Sequence, residues 1–169
     1  MTSLVSPANV KALINTSMTD ENLQTVIDRV EAQVTAKIGA PQADGFTTEI
    51  VKTLRGDGMS LFLPTDIYAV VSIVEDGNTL TADDYQTWAG GVIERLPADG
   101  NWGDRMTVIY KPADDRLVRT QVIVDLARIV LERTAMKSES VAGEYSFTAP
   151  DNWEAEFRNA MKRLLFKAV

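Results

Sequence analysis

Residues 71–85, VSIVEDGNTLTADDY, decide how this chain is read. Glu75, Asp76, Asp83 and Asp84 fall within ten positions there. They are either a carboxylate site for metal or acid–base chemistry, or the polar trim of a β-hairpin. Spacing favours the hairpin. A calcium loop needs oxygen ligands at alternate positions, a mid-loop glycine and a late glutamate. Here Gly77 follows Asp76 at once, and the next acids lie beyond Leu80. A β-like run from Ala69 to Glu75 that meets Asp-Gly is instead a strong signal for a two-residue hairpin turn. Asp83 and Asp84 then cap or break the next strand, which begins near Tyr85.

Composition narrows the chemistry further. The 169 residues contain no cysteine and no histidine. Disulfides, thiolate or imidazole zinc sites and Ser–His or Cys–His nucleophiles are therefore excluded. Carboxylates, lysines, tyrosines and hydroxyls remain, so hard-metal or carboxylate catalysis around Asp83 and Asp84 is the enzymatic option. The length suits one domain with a sizeable core. No apolar run approaches the roughly 18 residues of a membrane helix, and MTSLVSPANVK lacks a signal-peptide core. The chain is expected in the cytosol, or in an assembly built there.

The net charge of -7 is unevenly placed. Residues 44–115 hold thirteen acids against five bases. Wrapping nucleic acid needs clustered Lys and Arg, so an acidic middle argues against it. The plainer reading is a charged surface that keeps the protein dispersed.

Outward from the hairpin, periodicity gives the remaining elements. Ser6-Pro7 opens a short helix through Asn15. Thr19 or Asp20 caps a second, with Leu23, Val26, Ile27, Val30, Val34 and Ile38 on one face and Gly39 and Pro41 as its stop. Short β-like runs follow at 46–55, 60–63, 69–75, 85–88, 92–96 and 105–111. Arg55-Gly56-Asp57 spells an integrin-binding tripeptide but reads as a turn. Pro112 and Asp114 open a third helix to about Lys137. It is apolar on most sides, apart from a stripe of Gln121, Asp125, Arg128 and Glu132 spaced for pairing. Lys137 to Gly143 reads as a linker and Glu144 to Thr148 as extended. A last helix starts at Pro150-Asp151, with Trp153, Phe157, Ala160, Met161 and Leu164 on one face. An aromatic arm of this kind docks on its own domain or on a partner. Trp88, Trp102 and Tyr110 offer a further option, a stacking face for sugar or peptide.

Taken in order, the chain runs DENLQTVIDRVEAQVTAKIG, LFLP, AVVSIVEDGNTLTADDY, a strand pair around Gly90-Gly91 ending IERL, and GNW. MTVIYKPADD then leads into the long apolar helix, and SESVAGEYSFTA follows. This succession resembles the head–tail connector (adaptor) proteins of long-tailed bacteriophages and related prophages. The resemblance implies an α+β chain, mainly a helical bundle of about four helices with a β-rich insertion of five or six antiparallel strands. It implies one core domain, 1–137, with helices at 6–39 and 112–137 and the insertion at 44–111, and a C-terminal arm and helix at 138–169. It also implies a structural virion protein and no enzyme, with neither cofactor nor metal and no membrane partner.

Such proteins assemble in the host bacterial cytoplasm as a ring, usually dodecameric, beneath the portal. In the virion neck they line the DNA exit channel and present a platform to the stopper or tail completion protein. The residues this implies as portal contacts are Glu144, Tyr145, Phe147, Trp153, Phe157, Arg158 and Lys162. Val122, Leu126, Ile129 and Val130 suit subunit packing, and the loops at Asp57, Gly58 and Trp102 suit the tail side. An acidic wall would let duplex DNA slide through without sticking. One departure stands out: a long helix follows the arm, and not every adaptor has one there.

Overall fold

Asp76 and Gly77 both adopt left-handed backbone, with φ of 46° and 88°, and Glu75 pairs with Asn78 across them. This is the primed two-residue turn that an Asp-Gly pair favours, because its twist matches that of the flanking strands. The computed structural model in which it is seen describes residues 3–56, 58–97, 100–138 and 153–164. At 133–138, 153 and 154 it describes the backbone only.

Among the described residues there are seven strands: β1 (Ile50–Leu54), β2 (Ser60–Phe62), β3 (Ile67–Glu75), β4 (Asn78–Thr79), β5 (Tyr85–Trp88), β6 (Val92–Arg95) and β7 (Met106–Pro112). They form two antiparallel sheets, one in the order β1-β7-β3-β4 and one in the order β2-β6-β5. β7 is central, pairing with β1 on one side and β3 on the other, and its residues alternate buried and half-buried along the whole strand, the period-2 pattern of a strand with one face on a core. Ile50, Leu61, Leu63, Ile73, Ile93, Trp102, Met106, Val108 and Tyr110 make that core. Each fully buried large apolar side chain contributes roughly 1.5–3 kcal/mol.

β1 starts later than its apolar pattern predicts. Gln42 is buried, its amide NH2 donates to the Pro112 carbonyl at 2.8 Å, and its oxygen accepts from the Thr48 N–H at 2.8 Å. Those bonds hold residues 41–48 as a loop against the end of β7, so the ladder begins only at Ile50. Pro112, expected to open a helix, closes β7 opposite Ile67.

The helices are α1 (Pro7–Lys11), α2 (Asp20–Ile38), α3 (Arg116–Ser138) and α4 (Trp153–Met161). Ser6 and Asn9 form a capping box on α1, and Pro7 sits at its first position. The Thr19 hydroxyl caps α2 by accepting from the Asn22 N–H, and Gly39 leaves the helix at φ 97°, where a residue without Cβ is favoured. α2 buries Leu23, Ile27, Val30, Val34 and Ile38.

The expected fold is overturned on one point. Among the described residues there is no helical bundle carrying a β insertion, and the strands number seven, in two sheets, where five or six were expected. The described chain divides into two compact units. One takes its residues from Met1–Lys37 and Leu117–Leu164, and the other is Ile38–Arg116. The physical reason lies in the strands, whose inward side chains close a core of their own, so this segment is a unit in its own right. Periodicity shows that a strand has an apolar face but not what that face meets.

Candidate functional site

Three of the four carboxylates in the opening stretch are engaged in holding the β unit together. The Thr81 N–H and hydroxyl both donate to Asp84, at 2.7 and 2.8 Å, capping a short 3-10 helix at Ala82–Asp84. Those two bonds, with the Arg95 guanidinium adding to them, hold the Asp84 carboxyl below the usual carboxylate range. The Gly103 N–H donates to Glu75 at 2.8 Å. The Asp104 and Arg105 N–H groups donate to Asp76 at 3.2 and 2.9 Å. The hairpin thus clamps the 103–105 loop through charge-assisted bonds. Asp83 is exposed. No group of three or more acids among the described residues is placed to hold a metal ion.

Arg95 joins these parts. Its Nε donates to Glu75 at 3.1 Å, and its Nη1 donates to the carbonyls of Asp84 and Leu96 at 2.6 and 2.8 Å. Its guanidinium lies 5.9 Å from the Trp102 ring centroid, within cation–π range. One side chain therefore ties β6 to β3, to the 3-10 helix and to the loop carrying Trp102. Nothing in the local sequence marks Arg95 for this role, because its partners outside β6 come from three separate segments.

The three aromatics considered as a stacking face are not brought together. Trp102 is 5% exposed and Tyr110 fully buried, whereas Trp88 is 49% exposed. Tyr110 shares a hydrogen bond with Thr65 at 3.1 Å, and Trp88 donates its indole N–H to Glu94 at 2.7 Å. Trp102 is therefore a core residue of the β unit and does not stand at a loop tip. Its backbone N–H donates to the Gly58 carbonyl at 2.9 Å. Gly58 itself is exposed, with φ 89°, and Asp57 lies outside the described residues.

In the helical unit, Val122 and Leu126 are fully buried by their own chain, while Ile129 and Val130 are half-buried. The polar stripe pairs as its spacing predicts: Arg128 donates to Glu132 at 2.7 Å. Asp125 instead accepts from Arg163, just beyond α4. A shallow cleft of about 470 Å³ runs between these residues and Glu156, Asn159 and Ala160. Of the arm residues, Phe157 is half-buried beside Gln33, Ala36 and Lys37, and Arg158 and Lys162 are exposed. Trp153 opens α4. Glu144, Tyr145 and Phe147 lie outside the described residues.

The class that fold and geometry define is a two-unit α+β chain in which three of the four hairpin acids are bonded within the β unit. No family model matches the chain, and no curated protein matches it. No helix among the described residues is long and apolar enough to cross a membrane.

Proposed function

We propose that this chain is a structural protein of a bacteriophage neck. It forms a homo-oligomeric ring under the portal, joins the DNA-filled head to the tail and lines the DNA exit channel. The observation that carries this reading is the ordered succession from DENLQTVIDRVEAQVTAKIG through AVVSIVEDGNTLTADDY and MTVIYKPADD to SESVAGEYSFTA. The acidic β unit supports it, since a surface dominated by carboxylates repels phosphate and leaves DNA free to pass. The engagement of Glu75, Asp76 and Asp84 with protein donors weighs against a carboxylate enzyme at the hairpin. The burial of Trp102 and Tyr110, which leaves only Trp88 at the surface of the three, weighs against an aromatic binding face.

The test is size-exclusion chromatography with light scattering and negative-stain imaging, run alone and with the portal protein. The expected result is a closed ring, formed alone or on the portal. A chain that stays monomeric and ignores the portal would refute the reading.

A further inference from the structure

The β1–β7 ladder ends at Leu54 opposite Met106, and one step further the same register sets Arg55 against Arg105. The two backbones stay together past that point. A Cβ at Gly56 would collide with the carbonyl oxygens of Trp102 and Gly103. Two arginines are thus held opposite each other at the end of a sheet edge, an arrangement that like-charge repulsion disfavours. Both are exposed, and neither guanidinium has a bonded partner among the described residues, although the Arg105 backbone N–H is held by Asp76. Together with Thr53, Leu54, Gly56 and Asp104 they line a cleft of about 820 Å³. Paired guanidiniums present a fork of N–H donors that fits an oxyanion, and such an anion would remove the repulsion.

We propose that this cleft receives a carboxylate from a second copy of this chain, donated by Asp83. The proposal rests on the ring reading above and names a contact that builds the ring. Asp83 is exposed and bonded to nothing among the described residues, whereas its neighbour Asp84 is bound to Thr81 and Arg95. It follows β4, at the edge of the four-stranded sheet opposite β1. Each copy therefore carries one cleft and one donor on different edges, which makes the contact head-to-tail, the kind that closes into rings. A discrete carboxylate fits better than nucleic acid, because two guanidiniums with Asp104 beside them are too small a basic cluster to neutralise a phosphate backbone.

The experiment compares wild type, R55E/R105E, D83R and an equimolar mixture of the two variants by sedimentation velocity. Each sample is run over a concentration series, alone and with the portal protein. Wild type is expected to assemble, and each variant alone to associate at least about tenfold more weakly. The mixture should recover the native contact, the intact cleft of D83R taking Asp83 of R55E/R105E, together with its charge-reversed counterpart, and so assemble with the two variants in alternation. Because that recovery needs both variants folded, it separates a lost contact from a misfolded chain. R55E/R105E assembling like wild type would overturn this contact while leaving the ring reading in place. Wild type remaining monomeric in every condition would refute both. Binding of inorganic phosphate or a DNA duplex that R55E/R105E loses, with assembly unchanged, would make the cleft a phosphate site and overturn the proposal.

Discussion

Gly103 lies directly beneath the Asp76 carboxylate, and a Cβ there would occupy the place of Asp76 Oδ2. Gly103→Ala must push Asp76 off the Asp104 and Arg105 N–H groups. A hydrogen bond to a charged group contributes about 1.5–3 kcal/mol. Loss of one or both predicts destabilisation by about 2 kcal/mol and a melting temperature lower by about 6 °C; calorimetry reads both. An unchanged Tm would mean that the hairpin clamp is not strained by the extra methyl. Asp84 gives a pH signature. Its folded-state pKa is depressed, first by the Thr81 backbone N–H and then by the Thr81 hydroxyl. Its contribution is therefore complete above the unfolded carboxylate value near 3.9 and is lost as pH falls through the lower folded value. Asp84→Asn should flatten the fall in Tm below about pH 4, and a slope equal to wild type would refute that role. The role of Asp76 was invisible in the sequence because its donors lie 28 and 29 residues away and arrive only by folding; that of Asp84 was within reach, since Thr81 is three residues back.

At the scale of elements, the hairpin was fully legible, since Asp-Gly after an alternating run demands left-handed backbone at two positions that these residues tolerate. The ends of α2 were legible for the same reason, through Thr19 and Gly39. β1 was legible only in part: Phe46 and Thr47 have strand-like side chains, but Gln42 draws the neighbouring backbone into a loop. α4 separates two ideas that the sequence left open, an arm for a partner and a piece of the core. Ala160, Met161 and Leu164 are buried, while Arg158 and Lys162 are exposed, so the helix has one face for each role. Met161→Ala is predicted to cost about 3 kcal/mol by chemical denaturation. Full stability in that variant would mean that α4 is not held by its own unit. For the same reason, removal of residues 138–169 strips buried surface along with any portal contact and cannot test docking alone.

For the whole molecule, charge and assembly belong together. An acidic chain that forms a ring must offset its own repulsion at the contacts, and unpaired cations such as Arg55 and Arg105 are where that can happen. The channel reading stands or falls on a reconstruction of the ring: Glu49 and Asp66 on the outer rim would remove it. The sequence by itself determined the element order, the Asp76-Gly77 turn, the helix caps and the exclusion of thiol and imidazole chemistry. All of these depend on residue type and near-neighbour spacing. Only the tertiary structure decided that the strands make two sheets with their own core, that Trp102 is buried, and that Arg95 joins four segments. It alone set Arg55 opposite Arg105. The reason is that an apolar face or a charge specifies a need for a partner, while the partner's identity depends on which distant segment the fold delivers.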